Sequence, residues 1–118
     1  ISILLSNRSV TAMKIVGVTS CIAGLAHTPM AAKALEKAGV KLGYDVKIEQ
    51  QGALGKVNEI TPLEASEADF VIIAADKAIE DMERFEGKRI VRVKIGQAVS
   101  KAELVLQKAV EAVQKANA

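Results

Sequence analysis

Two short, nearly continuous apolar segments, 14–20 and 70–75, constrain the fold of this chain more than any other feature. Runs of this kind are typical of β-strands that are covered on both faces, as in parallel sheets. We therefore expect both segments to form strands at the centre of a sheet.

Two further strands are predicted at Asp45–Gln51 and Arg89–Ile95. In the first of them apolar and charged side chains alternate, so Lys47 and Glu49 are expected on a solvent-exposed side. Half-exposed strands of this kind suit the edges of the sheet. A loop is predicted at 52–55.

Helical spacing and helix-start signals separate the strands. Residues 29–42 have an apolar face at helical intervals. Thr61 with Glu64, and Ser100 with Glu103, each have the spacing of a capping box, in which a hydroxyl and a carboxylate bond the first free backbone N–H groups of a helix. The buried face predicted for the last helix comprises Val99, Ala102, Leu106, Ala109, Val110 and Val113.

Strand and helix alternate four times along the chain, which predicts an α/β fold. We expect a four-stranded parallel sheet of order 2-1-3-4 with helices on both faces, Rossmann-like and related to flavodoxin. In such sheets ligands bind where the strand order reverses, at the carboxyl ends of the strands. This places a candidate site at the end of the first strand.

The length of 118 residues fits one domain, which we assign to residues 13–118. Residues 1–12 are interpreted as a disordered upstream or cloning-derived extension. The chain has 16 basic and 14 acidic residues and only 3% aromatics, which argues against nucleic-acid binding. No apolar stretch approaches the roughly 20 residues that span a bilayer.

Cys21 is the single cysteine and stands where the first strand ends. One cysteine excludes an intramolecular disulfide and fits a reducing compartment. A lone cysteine is more often an inert small hydrophobe than a nucleophile. Here the small residues that follow, and a helix start predicted from Thr28 as N-cap and Pro29, favour a reactive thiolate near a helix N-terminus.

Five residues separate Cys21 from His27, and Thr28 follows. This resembles the phosphate loop of low-molecular-weight tyrosine phosphatases, in which arginine occupies the histidine position and binds phosphate through two nitrogens. Histidine cannot reproduce that pair of donors. The predicted phosphate-binding loop comprises Ile22, Ala23, Gly24, Leu25, Ala26, His27 and Thr28.

The pattern Cys-x-x-Gly-x-Ala-His-Thr, at 21–28, resembles the fructose-family enzyme IIB of the bacterial phosphoenolpyruvate-dependent sugar phosphotransferase system. Two later segments are also similar to that family: Glu-Gln-Gln-Gly at 49–52, followed by Gly55 and Asn58, and Glu-Arg-Phe-x-Gly-Lys at 83–88. The resemblance runs from Met13 to the last helix.

The resemblance implies a phosphoryl relay. A phosphohistidine on enzyme IIA would transfer its phosphoryl group to Cys21, and the phosphocysteine would pass it to a sugar, by default fructose, bound by the membrane enzyme IIC. The chain would then need neither metal nor cofactor. It would be cytoplasmic, not inserted in the membrane, and associated with the inner face of the membrane through IIC.

Two other functions fit the same cysteine. One is a phosphatase-like or arsenate-reductase-like enzyme, against which the missing loop arginine and the missing partner cysteines argue. The other is a regulatory module whose phosphocysteine alters binding without passing the group on. Two roles are open for His27: it could stabilise the loop structure, or it could contact the phosphate or a partner protein. Gln51, Gly52 and Asp76 are candidate supports of the loop.

Overall fold

The computed structural model describes residues 13–21, 27–52 and 55–117. The predicted extension at 1–12 lies outside the described residues, as do loop residues Ile22, Ala23, Gly24, Leu25 and Ala26. The elements are, in chain order, β1 (Lys14–Ser20), α1 (His27–Leu42), β2 (Asp45–Gly52), β3 (Gly55–Val57), α2 (Pro62–Glu67), β4 (Phe70–Ala75), a 3₁₀ helix (Met82–Phe85), β5 (Ile90–Val93), α3 (Ile95–Ser100) and α4 (Ala102–Asn117).

The sheet is mixed and has five strands in the order β3-β2-β1-β4-β5. Strands β2, β1, β4 and β5 run parallel, and β3 pairs antiparallel with the end of β2. The α/β class is therefore confirmed, but the prediction of a four-stranded, wholly parallel sheet is wrong. Gly55, with φ +117°, begins a short return strand where a loop was expected. Strand β2 is consequently not at the edge.

Strand β3 covers only the last residues of β2, and two side chains cover the strand before that point. The Glu36 carboxylate accepts a hydrogen bond from the Ile48 N–H at 3.0 Å. The Asn58 amide donates to the Ile48 carbonyl at 3.3 Å. These contacts satisfy backbone groups that an adjacent strand would otherwise bond.

One face of the sheet is covered by α1, α3 and α4, with an almost wholly aliphatic core. Leu35 of α1 and Leu106 of α4 are fully buried there, as the helical spacing predicted. Gly39 allows α1 to lie against β2, since a Cβ at that position would collide with the Val46 side chain.

The other face is covered by α2, the 3₁₀ helix and the segment that leads into α2. Ile60, Ala65 and Phe85 form its buried apolar cluster together with side chains of β1 and β4. The predicted capping box is confirmed here: the Glu64 N–H donates to Thr61 Oγ1, and the Thr61 N–H donates to the Glu64 carboxylate.

The start of the last helix differs from its prediction. Ser100 ends α3 and its hydroxyl donates to the Gly96 carbonyl at 2.9 Å, so it does not cap α4. The predicted capping box of Ser100 and Glu103 is therefore wrong. Ile95, predicted to end a strand, begins α3. Within the described ranges, no helix is long and apolar enough to cross a bilayer.

Candidate functional site

Cys21 follows the last residue of β1, at the carboxyl end of the sheet's central strand, and is partly exposed. The register pairs Ser20 of β1 with Ala75 of β4. The residues that follow these two strands, Cys21 and Asp76, therefore leave the sheet side by side. The Asp76 N–H extends the pairing by donating to the Ser20 carbonyl at 3.1 Å.

Two polar side chains of the described residues lie near the sulfur. Cys21 Sγ lies 3.5 Å from Asp76 Oδ2, with the thiol as donor. It also lies 3.9 Å from Nδ1 of His27, the first residue of α1. The structure thus brings together three of the residues singled out from the sequence: Cys21, the histidine that begins α1, and the aspartate after β4.

Thr28 lies in the first turn of α1, because that helix begins one residue earlier, so its prediction as N-cap is wrong. Thr28 is buried, and its Oγ1 has no hydrogen-bond partner in the described part of the chain. Its carbonyl accepts a hydrogen bond from the Thr19 hydroxyl at 3.0 Å. The start of α1 is therefore fixed to β1 next to Cys21, and the Thr28 hydroxyl keeps its bonding capacity. A buried hydroxyl with no partner is a group that a bound anion could satisfy.

Gln51 supports the site from the neighbouring strand without contacting the sulfur. Its side chain bonds the backbone of Glu80 twice, accepting from the Glu80 N–H at 2.8 Å and donating to the Glu80 carbonyl at 3.1 Å. Its own carbonyl accepts from the Ser20 hydroxyl at 2.9 Å. Gly52, the next residue, is exposed and pairs with Gly55, the first residue of β3.

Sequence reasoning missed a buried ion pair beneath this edge. Glu49 was expected on a solvent-exposed side of β2, but its side chain is fully buried and that of its partner Arg84 is only 6% exposed. The two Arg84 terminal nitrogens donate to the two Glu49 oxygens at 2.5 and 2.8 Å. Gln51 and the Ile60 N–H donate to the same carboxylate at 2.7 and 2.9 Å.

These hydrogen bonds determine the ionisation of the pair. Burial raises the pKa of Glu49, but the hydrogen bonds from Arg84, Gln51 and Ile60, with the charge of Arg84, lower it by more. Burial lowers the pKa of Arg84, but the hydrogen bond and charge of Glu49, with the charges of Asp81 and Glu59, together raise it by more. Both side chains are therefore charged inside the protein.

One signal in the sequence could have revealed this pair. Glu49 and Arg84 belong to the two later segments quoted for the family resemblance, and the structure shows that these segments contact each other. Arg84 also donates to the Ile60 carbonyl at 2.7 Å and to the Asp81 carbonyl at 2.9 Å. Lys56 of β3 forms a salt bridge with Asp81. The segment between β4 and the 3₁₀ helix is thus tied to β2 and β3.

The described residues contain no group of three or more His, Cys, Asp or Glu side chains arranged to bind a metal ion. What the site offers is a partly exposed sulfur, a buried hydroxyl with no partner in the described ranges, and a helix N-terminus. A helix N-terminus favours anions, because its first N–H groups are unpaired and the helix dipole is positive there.

Comparisons with known proteins identify the family of this chain. The family model for the IIB subunit of the lactose/cellobiose-specific phosphotransferase system matches residues 16–108. The fructose-like EIIB component 2 of Escherichia coli K12 is 48% identical over 95 residues, covering 80% of this chain and 90% of that protein.

Two solved structures are similar over most of their length. The solution structure of an enzyme IIB subunit from E. coli K12 has a TM-score of 0.82 and 36% identity, covering 92% of this chain and 100% of that one. A crystallised domain of a fructose-specific IIABC component from Borrelia burgdorferi has a TM-score of 0.79 and 42% identity, covering 86% and 96% of the two chains. The chain belongs to the IIB family of the sugar phosphotransferase system, whose members transfer phosphoryl groups during sugar uptake.

Proposed function

We propose that this chain accepts a phosphoryl group from a phosphohistidine of enzyme IIA onto Cys21 and passes it to a fructose-like sugar bound by the membrane enzyme IIC. The observation that carries the proposal is the position of Cys21, directly after the central strand and beside the start of α1. Family membership gives the type of transfer, and this position supports the Cys21 sulfur as the atom that carries the group.

The surroundings of the sulfur suit a phosphoryl carrier. Phosphoryl transfer passes through a loose transition state, so catalysis consists mainly of positioning the reactants and stabilising charge. The N-terminus of α1 and the Thr28 hydroxyl supply donors for the phosphoryl oxygens. The loop 21–28 also contains no arginine. An arginine there would bind phosphate through two nitrogens and assist attack by water.

The partners and the sugar are inferred from the relatives. The similar protein from E. coli is named fructose-like, and the similar domain from B. burgdorferi comes from a fructose-specific IIABC component. We therefore assign a fructose-like sugar, a IIA donor and a IIC acceptor complex. With these partners the chain would act on the cytoplasmic side of the membrane, associated with it through IIC and without inserting into it.

The test is phosphorylation in a reconstituted system. The chain is incubated with radioactive phosphoenolpyruvate, the upstream carriers and a IIA protein of a fructose system. We expect one phosphate per chain on Cys21, located by peptide mapping, and none on Cys21→Ala. Since Cys21 is partly exposed, the variant should keep the fold, which circular dichroism checks. The label should move to fructose only when membranes that contain the matching IIC are added.

Three results would contradict this proposal. Rapid release of inorganic phosphate without IIC membranes would indicate a phosphatase. A stable phosphocysteine that never passes to sugar in the presence of IIC would indicate a regulatory module. Labelling of Cys21→Ala to the wild-type level would show that Cys21 is not the phosphorylated residue.

A further inference from the structure

The Asp76 carboxylate lies against the sulfur that would receive the phosphoryl group. A negative side chain at this position is unexpected. The distance from Sγ to Oδ2 is 3.5 Å, and the thiol is the donor. By analogy with phosphorylated side chains, an arriving phosphoryl group adds roughly two negative charges at this position. Like charges at this separation repel one another, and one of the groups then tends to take up a proton.

The position of Asp76 is fixed by contacts on both sides of it. Its own N–H is bonded to the Ser20 carbonyl at 3.1 Å, which continues the pairing of β4 with β1. The far end of the same segment is held by Gln51, which bonds the Glu80 backbone twice, and by the salt bridge of Lys56 with Asp81. The carboxylate is therefore placed at the sulfur by the fold.

Resting on the function proposed above, we infer that Asp76 is a catalytic residue that receives the Cys21 thiol proton during phosphorylation. The thiolate is the attacking species, so the S–H bond must break as sulfur attacks. The proton passes to Oδ2 while a sulfur electron pair forms the S–P bond. The P–N bond of the donor breaks, and its electron pair stays on the imidazole. That ring, protonated on its other nitrogen, leaves as a neutral base.

Proton transfer to Asp76 also removes its repulsion of the phosphoryl group. The neutral carboxyl can then donate a hydrogen bond to a phosphoryl oxygen. When the group passes to a sugar hydroxyl, the S–P bond breaks and sulfur recovers the proton from Asp76. The hydroxyl gives its own proton to solvent. The proton thus stays beside the sulfur for the lifetime of the phosphocysteine.

Among the described residues, His27 is the other polar side chain near the sulfur, and it contacts the sulfur less closely than Asp76 does. Its Nδ1 is 3.9 Å from Sγ, which is longer than the distance to Asp76. An imidazole nitrogen that carries the ring proton donates, whereas an ionised carboxylate can only accept. Asp76 is the nearer group and the one to which the thiol donates, so we assign it as the acceptor for the thiol proton.

The sign of one rate change distinguishes proton transfer from simple repulsion. In Asp76→Asn the side chain keeps its shape but can neither take the proton nor repel the phosphoryl group. We expect phosphorylation of Cys21 by radioactive phospho-IIA, in a single turnover, to slow about 100-fold, within the usual range for general base catalysis. If Asp76 acted only through its charge, the variant would be faster than the wild type.

Asp45→Asn is the matched control, since Asp45 is exposed and pairs with Lys14 at the opposite end of the strands. Its phosphorylation rate should equal that of the wild type. A rate for Asp76→Asn equal to or above the wild-type rate overturns the inference and leaves Cys21 as the carrier. Failure of the wild type to be labelled at all would overturn the proposed function instead.

A second measurement does not depend on the rate. The chain contains four aspartates, Asp45, Asp69, Asp76 and Asp81, so ¹³C labelling of the aspartate side-chain carboxyl carbons alone gives few NMR signals. The Asp76 signal is identified by its absence from Asp76→Asn. We expect it to move to the position of a protonated carboxyl on phosphorylation and to return after transfer. A signal that remains at the carboxylate position in the phosphorylated protein overturns the inference.

Discussion

The face of the sheet covered by α1, α3 and α4 is held by aliphatic packing, whereas the face covered by α2 and the 3₁₀ helix encloses a buried ion pair. On the first face Leu35 and Leu106 are fully buried among other apolar side chains. On the second, Glu49 and Arg84 lie beside a smaller apolar cluster. An aliphatic core tolerates apolar substitutions that conserve its volume. A buried ion pair does not tolerate the loss of one partner, because the other charge is then left buried and uncompensated.

The difference has a consequence for the site. Through Gln51, the carboxylate of Glu49 is connected to the backbone of Glu80, and Arg84 bonds the Asp81 carbonyl. The polar face therefore supports the segment that carries Asp76 to Cys21. The aliphatic face supports α1, which brings His27 to the same sulfur. The side chains next to the sulfur are therefore held in two ways: Asp76 by polar contacts of one face, and His27 by the aliphatic packing of the other.

The largest expected effect comes from breaking the ion pair. Arg84→Met leaves the buried Glu49 carboxylate without its counter-charge, so we expect a loss of about 3–5 kcal/mol in the free energy of unfolding. Urea denaturation followed by circular dichroism measures it. Leu106→Ala, on the aliphatic face, is expected to cost about 2–5 kcal/mol through lost burial and a cavity.

A double variant tests whether the cost comes from the unpaired charge. Glu49→Gln in the Arg84→Met background removes that charge but keeps an oxygen for the Ile60 N–H. It should be more stable than Arg84→Met alone. If it is less stable than the single variant, the comparison between the two faces is wrong, because the polar face would then depend on packing and not on charge pairing.

The aliphatic half of the fold could be predicted from the sequence, because its signals are local. The spacing of Leu35 and Leu106 within their helices placed both in the core. Strand β3 was missed because it is only three residues long, begins at Gly55 and exists through its pairing with β2. The residue pattern at Ser100 and Glu103 fits a capping box, but the Ser100 hydroxyl bonds the preceding turn.

The polar half depends on pairs that are distant along the chain. Apolar and charged residues alternate along β2, and this pattern places Glu49 on the solvent side, opposite Ile48. Only a known partner for its charge would change that prediction. That partner, Arg84, is 35 residues away. Cys21 and Asp76 could each be placed at a strand end, but their contact depends on the register of Ser20 with Ala75, which no local pattern specifies.

A smaller effect is expected from acid, and it should concern mainly the polar face. The folded pKa of Glu49 lies below its ordinary value of 4.5, so the pair stabilises the fold fully above about pH 4.5. That contribution is lost as the pH falls through the folded pKa. Urea denaturation at pH 7 and at decreasing pH should show a loss of stability that is smaller in Glu49→Gln.

Glu49→Gln has to be compared with the wild type because other carboxylates also contribute to the loss of stability in acid. Hydrogen bonds from Lys47 and Lys56 lower the pKa values of Glu64 and Asp81 respectively, so part of the acid effect persists without Glu49. Leu106→Ala should lose the same free energy at every pH at which it folds. An unchanged acid response in Glu49→Gln would mean that this carboxylate contributes nothing to the pH dependence.

The smallest effect concerns α2, which has six residues and caps that satisfy its first N–H groups. So short a helix is not stable alone and depends on its neighbours and its caps. Thr61→Ala removes the hydroxyl that accepts from the Glu64 N–H, so we expect a loss of about 1 kcal/mol by urea denaturation. Ser100→Ala is the control, since that hydroxyl bonds a carbonyl at the exposed end of α3 on the aliphatic face. Its cost should be within about 0.5 kcal/mol of zero. Equal losses in the two variants would show that short helices on both faces depend on hydroxyl contacts alike, and the contrast between the faces would then rest on the ion pair alone.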